Sequence, residues 1–175
     1  MTVEIYPGVT VPGIGTLPLA EVARDGGLKA LQRLLEGTYP APSMAATLKF
    51  TLDEVEEGRV LFRGLPTSEH LNPLGTVHGG WSATIMDSAL GCAVMTTLKP
   101  GEGYTTVEFK VNLVRPLLPG MGEVFCEGKI VHRGRTIATS ECWLKDAGGK
   151  LLAHGTETCA IFPMENMMRG GRIGE

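Results

Sequence analysis

The stretch Asn72–Leu98, NPLGTVHGGWSATIMDSALGCAVMTTL, decides the fold of this chain. A turn-like opening leads through His78-Gly79-Gly80 into an almost wholly apolar run of about five helical turns. Asp87 is the one charged residue of this run. Because an unpaired buried charge costs several kcal/mol, this carboxylate must be partnered or shifted in pKa. We therefore predict that Asp87 is the chemical centre and that the surrounding helix houses it.

Composition limits the class of protein. The 175 residues suit one domain with a sizeable core and a terminal extension. A net charge of −3 argues against a nucleic-acid binder, which would carry a basic face. The N-terminus shows no secretory signal, and the Ser, Thr, Gly and Asp residues of the long helix argue against a membrane span. Four separated cysteines indicate buried thiols in a reducing compartment, so we expect a cytoplasmic protein: Cys92, Cys126, Cys142 and Cys159.

The chain before the long helix contains one predicted helix and two predicted strands. Residues 1–16, with their Pro and Gly residues, predict an irregular arm. Leucines at helical spacing predict an amphipathic helix from Pro18 to Leu35, and a proline-rich connector follows at residues 39–42. Strands are predicted at Thr47–Leu52 and Arg59–Leu65.

The chain after the long helix predicts four strands in a meander. The helix is expected to stop at Lys99-Pro100-Gly101. Apolar residues then alternate with polar ones and predict the first strand: Val107, Phe109, Val111 and Leu113. Turn signals divide the rest into strands at Glu123–His132, Thr136–Lys145 and Lys150–Phe162.

This order predicts an α+β fold in which an antiparallel sheet of about six strands wraps around one long helix. An N-terminal arm and helix (residues 1–43) would precede the main domain (residues 44–162), and a flexible tail (residues 163–175) would follow it. The sheet covers only part of the helix, whereas a helix that is apolar all round needs a second cover. We expect that cover to be a second copy of the chain.

The start of the long helix is a predicted site for negative charge. Gly79 and Gly80 leave bare backbone N–H groups at the positive end of the helix dipole, where a developing oxyanion is favoured. Asp87 lies eight residues further on, about 12 Å along the axis, so one bond cannot touch both groups of one helix. If two subunits pack these helices antiparallel, Gly79 of one faces Asp87 of the other. The site would then be shared across a dimer.

Four stretches carry a family resemblance. The run NPLGTVHGGWSATIMD resembles the signature of the PaaI-type acyl-CoA thioesterases, and three further stretches are similar to the same family: EGTYPAPSMAATLKF, VNLVRPLLPG and VHRGRTIATSECWLKDAGGKLLAHGTET. The resemblance covers roughly residues 30–162. The resemblance implies a hotdog fold, assembly as a homodimer or a dimer of dimers (a homotetramer), and hydrolysis of an acyl-CoA thioester. Coenzyme A would be part of the substrate, and no cofactor is implied. Aromatic, phenylacetyl-type and medium-chain acyl groups all stay open.

The resemblance also implies roles for individual residues. Asp87 corresponds to the general base or nucleophile of the family, and Gly79 to the N–H that polarises the thioester carbonyl. Asn72 and His78 correspond to polar residues that line this carbonyl or the attacking water, and Thr106 to a residue that helps to hold the water. Residues expected to bind substrate or coenzyme A, whose phosphates suit arginine, are Gly80, Arg133, Arg135 and Arg115.

Two other functions stay open at this point. A hotdog dehydratase for hydroxyacyl thioesters needs a histidine base facing a carboxylate, for which His78 and Asp87 are candidates. A binding module would hold acyl-CoA without turnover, although pure binding does not need a costly buried acid. The four histidines show no metal-ligand spacing, so no metal site is expected.

Overall fold

The structure is a computed structural model that describes residues 2–166. An N-terminal extension carries strands β1 (Val3–Tyr6) and β2 (Val9–Val11) and helices α1 (Leu19–Asp25) and α2 (Gly27–Leu35). Helix α3 (Ser43–Leu48) precedes strands β3 (Phe50–Glu56) and β4 (Arg59–Gly64). A one-turn helix, Ser68–His70, leads to the long helix α4 (Gly79–Met95). The strands that follow are β5 (Glu102–Leu113), β6 (Val124–Arg133), β7 (Ile137–Asp146) and β8 (Leu151–Pro163).

The main sheet is antiparallel, with six strands in the order β3-β4-β6-β7-β8-β5, and it wraps around α4. This confirms the predicted α+β architecture. The predicted four-strand meander is wrong in one respect. The turn after α4 delivers Glu102 beside Pro163, so β5 pairs with β8 and not with β6. Strand β6 pairs with β4, and the meander consists of β6, β7 and β8.

The sheet approaches α4 closely because a glycine stands where β6 crosses the helix. A Cβ built on Gly128 would lie 2.2 Å from the carbonyl oxygen of Ala89. Ile85, Met86 and Leu90 fill the space beside this crossing and have no solvent exposure. Burial of each such side chain stabilises the fold by roughly 1.5–3 kcal/mol. The opposite face of α4 remains partly exposed, through Ala83, Thr84, Asp87 and Ser88.

Strand β5 is an edge strand, and its predicted apolar face is not buried. Val107 and Leu113 are 61% and 57% exposed, and Phe109 is exposed as well. The pairing with β8 shifts register between Thr106 and Glu108, so a bulge interrupts the simple alternation. A long edge strand with exposed apolar side chains is a surface on which further pairing can occur.

The irregular arm predicted for residues 1–16 is wrong over much of its length. Strands β1 and β2 pair as an antiparallel hairpin around Gly8, whose φ is +84°. Ile5, Tyr6 and Val9 form a small buried cluster, and the Tyr6 hydroxyl donates to Oε1 of Glu123 over 2.8 Å. Strands of three and four residues are too short to show a period, so tertiary packing decides their conformation.

The helix predicted from Pro18 to Leu35 is divided in two at Gly26. This residue has φ +86° and ψ 167°, a conformation that essentially only glycine adopts. Helix α2 then starts at Gly27, where an added Cβ would lie 1.9 Å from the carbonyl oxygen of Met95. The Gly27 N–H also donates to the Leu98 carbonyl over 3.1 Å. Contact with the end of α4 therefore redirects the chain.

Two other predicted boundaries are wrong. The strand predicted at Thr47–Leu52 starts at Phe50, because α3 continues to Leu48 and Lys49, whose φ is +57°, is its C-cap residue. Helix α4 ends at Met95, before the predicted stop at Lys99-Pro100-Gly101. The predicted strand at Arg59–Leu65 and the last three predicted strands agree with β4, β6, β7 and β8 to within one residue at each end.

The remaining expectations concern the tail, the cysteines and the membrane. The predicted tail, residues 163–175, lies largely outside the described residues; within them, β8 continues to Pro163 and Met164 is buried. All four cysteines are free thiols, three of them buried and Cys92 partly so. Between residues 2 and 166, every helix is too short or too polar to cross a bilayer.

Candidate active site

Helix α4 begins with one backbone donor left free. His78 is the N-cap residue, and its Nδ1 accepts a hydrogen bond from the Gly80 N–H over 2.9 Å. The His78 carbonyl accepts from the Trp81 N–H. Within residues 2–166 the Gly79 N–H has no partner, and Gly79 lines a cavity of about 220 Å³. The helix therefore presents an unused N–H at its positive end, where a developing oxyanion is stabilised.

The cap engages two of the residues predicted for the site. The Gly80 N–H is taken by the imidazole, so it is not free for a ligand. Because Nδ1 of His78 is an acceptor, a neutral ring carries its proton on Nε2. His78 thus performs the N-cap function that Ser, Asp or Asn usually provides.

Asn72 organises the loop that leads to Gly79. Its Oδ1 accepts from the N–H groups of Leu74 over 2.8 Å and Thr76 over 3.3 Å. Its Nδ2 donates to Oγ1 of Thr76 over 2.7 Å. Asn72 lines the same cavity as Gly79, and one of its two amide hydrogens remains for a ligand.

Asp87 lies about two turns further along α4, in a different cavity. Its carboxylate is half-buried, and no cation or hydrogen-bond donor within residues 2–166 pairs with it. Burial raises the pKa of Asp87 above its ordinary value, because the charged form loses solvation. An unpaired carboxylate of raised basicity in a cavity is a candidate for base or nucleophile.

The cavity at Asp87 has a volume of about 420 Å³, which lies within the range of small-molecule sites. Helix α4 forms its floor, and strands β3, β4 and β5 form its walls. The N-terminal extension forms its roof. The apolar side chains that line the walls and the roof are Val9, Val11, Leu34, Leu35, Phe50, Leu52, Phe62 and Tyr104. Asp53 and Arg63 also line the cavity and form an ion pair with each other, so the cavity suits an apolar group placed next to the unpaired carboxylate of Asp87.

A second acid lies behind the cavity wall. The Thr106 hydroxyl donates to Oε1 of Glu157 over 2.9 Å, and the Cys159 thiol contacts the same oxygen at 2.9 Å. Glu157 lies in β8 and is 1% exposed. Burial is the main cause that raises the pKa of Glu157 to about 7, with a smaller contribution from Asp87. The carboxyl group is therefore protonated below neutral pH.

Comparison with known proteins identifies the family. A profile described as Thioesterase superfamily matches residues 74–153. Human acyl-coenzyme A thioesterase 13 is 31% identical over 132 residues, which make up 74% of this chain and 93% of that protein. The chain belongs to the thioesterase superfamily.

Two further proteins agree with this membership of the thioesterase superfamily. A candidate esterase of Caenorhabditis elegans, F42H10.6, is 30% identical over 139 residues, 78% of this chain and 73% of that protein. Among solved structures, a candidate thioesterase related to phenylacetic acid degradation, from Ralstonia eutropha JMP134, has a TM-score of 0.67 at 29% identity. The match covers 74% of this chain and 97% of that structure. The predicted PaaI-type thioesterase family and its hotdog fold are thereby confirmed.

Within one chain, His78 and Asp87 do not form the histidine–carboxylate pair that a hotdog dehydratase would need. His78 and Asp87 lie nine residues apart on α4, about 14 Å along the axis. The His78 imidazole is also held at the helix start by Gly80. Membership of the thioesterase superfamily agrees with this geometry.

The predicted arginines lie at two separate places on this thioesterase. Arg115 lines the cavity of Gly79 and donates to the Leu151 carbonyl. Arg133 ends β6 and pairs with Glu102, so its guanidinium is already engaged. Arg135 is exposed in the turn that follows. Of the three, Arg115 is the one that the fold places beside the helix start.

Glu157 lies next to the candidate site and is not among the residues that the sequence predicts for it. Side chains at alternate positions of β8 point inward, and the inward row is otherwise small or apolar: Gly155, Cys159 and Ile161. An acid in such a row is the same signal that singled out Asp87 in the helix. Within residues 2–166, no group of three His, Cys, Asp or Glu side chains could hold a metal ion.

Proposed function

We propose that this chain hydrolyses an acyl-CoA thioester to the free acid and coenzyme A, with Asp87 as the general base or the nucleophile. The observation that carries the proposal is the unpaired, desolvated carboxylate of Asp87 at the floor of an apolar cavity. The 31% identity to human acyl-coenzyme A thioesterase 13 supports acyl-CoA as the substrate class.

The Gly79 N–H of the partner subunit completes the site by polarising the thioester carbonyl. Gly79 and Asp87 of one chain line two different cavities, so neither cavity contains both groups. Antiparallel packing of two α4 helices brings each Gly79 to the other chain's Asp87. The exposed apolar side chains of edge strand β5 support pairing with a second copy.

The reaction needs little from the protein beyond these groups. In the general-base route, Asp87 removes a proton from water while the water oxygen forms a bond to the carbonyl carbon. In the nucleophilic route, Asp87 attacks the carbonyl itself and gives a mixed anhydride, which water then hydrolyses. In both routes the C–S bond breaks and coenzyme A leaves as a thiolate, a good leaving group. The Gly79 N–H stabilises the oxyanion that precedes this step.

The acyl group occupies the cavity roofed by the N-terminal extension. Its lining is mostly apolar, with Asp53 and Arg63 as charged residues besides Asp87, so we expect it to favour uncharged acyl groups, because an unpaired buried charge is costly. A medium-chain or an aromatic acyl group of the phenylacetyl type fits both the volume and the lining. Arg115 lies beside the helix start, where the coenzyme A moiety of the same substrate would lie.

A thiol-release assay on a panel of acyl-CoA thioesters tests the proposal. We expect wild-type turnover of medium-chain or aromatic acyl-CoA, and a loss of roughly a hundredfold or more in Asp87→Ala. Asp87→Asn is the matched control, because it keeps the size of the side chain and removes the charge. Asp87→Asn is expected to lose as much activity as Asp87→Ala. A wild-type protein that binds acyl-CoA but releases no thiol would be a binding module, and the proposal would be wrong.

A further inference from the structure

Glu157 occupies an unusual position for an acid. Its strand pairs with β5 on one side and β7 on the other, and its side chain points inward, toward Gly91 of α4. A Cβ built on Gly91 would lie 3.5 Å from Oε1 of Glu157. Gly91 follows Asp87 by one helical turn. Glu157 therefore lies beside the helix face that carries Asp87.

The fold itself gains little from this carboxyl group. Its Oε2 is buried and has no hydrogen-bond partner within residues 2–166. The titratable groups that face it are all acids: Asp87 and Cys92 on α4, Tyr104 and Glu108 on β5, and Cys159 on β8. Burying a polar atom without a partner costs free energy, and an apolar residue in the inward row would avoid that cost.

The two hydrogen bonds to Oε1 have a defined direction. A carboxyl oxygen that is not protonated can only accept, so the Thr106 hydroxyl commits its single hydrogen to Glu157. The Thr106 oxygen then offers only lone pairs to the cavity that it lines. Without Glu157 the hydroxyl could rotate and donate elsewhere, to the Cys159 sulfur or into the cavity.

We propose that Glu157 is a positioning residue, which fixes the Thr106 hydroxyl so that its oxygen accepts a hydrogen from the attacking water. A water that donates one hydrogen to Asp87 and the other to Thr106 turns a lone pair toward the thioester carbonyl. As the water oxygen bonds to the carbonyl carbon, the carbonyl π electrons move to the carbonyl oxygen and one proton passes to Asp87. The other proton stays on the added oxygen and remains hydrogen-bonded to the Thr106 oxygen. The C–S bond then breaks, and coenzyme A leaves as the thiolate. The inference rests on the proposed function and on its general-base route.

A double-mutant cycle in kcat tests the inference. Glu157→Met removes the acceptor and keeps the length of the side chain, and Thr106→Val removes the hydroxyl and keeps its shape. We expect each to lower kcat roughly tenfold with little change in KM, which corresponds to one hydrogen bond. The double variant should be no slower than either single variant, because the two residues act as one unit. Glu157→Gln keeps an acceptor oxygen and should retain kcat within about threefold.

Two outcomes would overturn the inference. If Glu157→Met has wild-type kcat, or if the losses of the two single variants multiply, Glu157 does not act through Thr106. Thermal unfolding of each variant shows whether a loss of kcat reflects a destabilised fold. Retention of kcat in Glu157→Gln then shows that the acceptor oxygen matters and not only the packing of the side chain. The Asp87→Ala variant tests the proposed function separately from the role of Glu157. An inactive Asp87→Ala beside a normal Glu157→Met leaves the thioesterase proposal intact and refutes only the role of Glu157.

Discussion

At the scale of single residues, this protein places two carboxyl groups where apolar side chains would be expected. Asp87 is exposed enough to reach a ligand, whereas Glu157 is enclosed. Burial raises both pKa values, but only Glu157 is held by hydrogen bonds from its own chain. Their different surroundings therefore suit Asp87 to contact with a ligand and Glu157 to positioning of a neighbouring group.

The ionisation of Glu157 makes a prediction about stability. Its pKa is about 7 in the folded chain and near 4.5 in the unfolded chain. Between these values the folded state binds more protons, so stability falls as pH rises from about 4.5 to 7 and then levels off. Glu157→Gln lacks this group. The difference in Tm between Glu157→Gln and wild type should therefore grow across this range, measured by thermal unfolding at pH 4.5, 6, 7 and 8. Parallel curves would mean that Glu157 does not titrate in this way.

The free N–H of Gly79 can be removed without breaking the helix. Gly79 is the first residue of α4, a position that accepts proline, and His78 before it already has φ −62° and ψ 136°. We expect Gly79→Pro to lower kcat by about 10²- to 10³-fold, the range for loss of one oxyanion donor.

The matched control is Gly79→Ala. It places the same added carbon 2.8 Å from Cδ1 of Leu113, the end of a flexible side chain, but keeps the N–H. It should retain most of the activity in the same thiol-release assay. Equal losses in the two variants would show that the space at Gly79 matters and the hydrogen bond does not.

At the scale of elements, the N-terminal extension contributes to the lining of the cavity that contains Asp87. The hairpin is anchored by its own apolar cluster and by Tyr6, and β2 and α2 close the cavity over Asp87. The matches to the human relative and to the Ralstonia structure cover only 74% of this chain while spanning nearly all of theirs. Part of this chain therefore adds to what these relatives share.

Narrowing the roof should change the preference for acyl length. Leu35 lines the cavity at the end of α2 and is 42% exposed. Leu35→Trp is expected to raise KM for the longer acyl groups roughly tenfold and to leave short ones unaffected. Leu19→Trp on α1 is the control, because Leu19 is 43% exposed and does not line the cavity. If both variants keep the wild-type preference across the acyl-CoA panel, the acyl group lies elsewhere.

The crossing of β6 over α4 makes a prediction about stability. Because a Cβ on Gly128 would collide with the Ala89 backbone, Gly128→Ala forces the sheet away from the helix. We expect the free energy of unfolding in urea to fall by about 1–3 kcal/mol, the usual cost of overpacking. Gly13→Ala serves as the control, since nothing lies within 4 Å of an added Cβ there. If Gly128→Ala and Gly13→Ala change the free energy of unfolding by similar small amounts, the backbones of β6 and α4 move apart at little cost.

The sequence predicted the elements that depend on local pattern and missed those that depend on contacts. The apolar run of α4 and the turns between the later strands follow from local pattern, whereas the roles of Asp87 and Gly79 stay predictions. The short hairpin, the division at Gly26 and the exposed row of β5 follow from packing against distant residues, which no local period reveals. Glu157 carries a local signal, an acid in an otherwise small or apolar inward row, but the sequence does not show its partner. Its meaning depends on Thr106, which lies 51 residues away in the chain.

At the scale of the whole molecule, the two cavities divide the proposed chemistry between subunits. One chain offers Asp87 in the larger cavity and the free Gly79 N–H in the smaller one. In a symmetric dimer the same surface meets itself, so both sites would form together. The partly exposed face of α4 and the edge of β5 are the surfaces available for this contact.

Subunit mixing tests the division. Each heterodimer of Gly79→Pro with Asp87→Ala would contain one site with both lesions and one intact site. Equal mixing after reversible dissociation gives half heterodimers, so about a quarter of wild-type activity should return from two inactive proteins. The unmixed variants, treated in the same way, are the controls. Activity that stays at their level would mean that each chain carries a complete site.

The acidic side chains beside the cavity also affect the release of the reaction product. A thioester carries no charge at the reacting carbon, so it can approach Asp87 and the enclosed Glu157 without repulsion. Hydrolysis turns that same carbon into a carboxylate, which then lies close to the carboxyl groups of Asp87 and Glu157. The Tyr104 hydroxyl and the nearby thiols stay neutral, because burial raises their pKa values. Like charges repel strongly where water is scarce. In the proposed mechanism this repulsion favours release of the acid product. We therefore expect the free acid to inhibit this enzyme far less than its neutral amide analogue does.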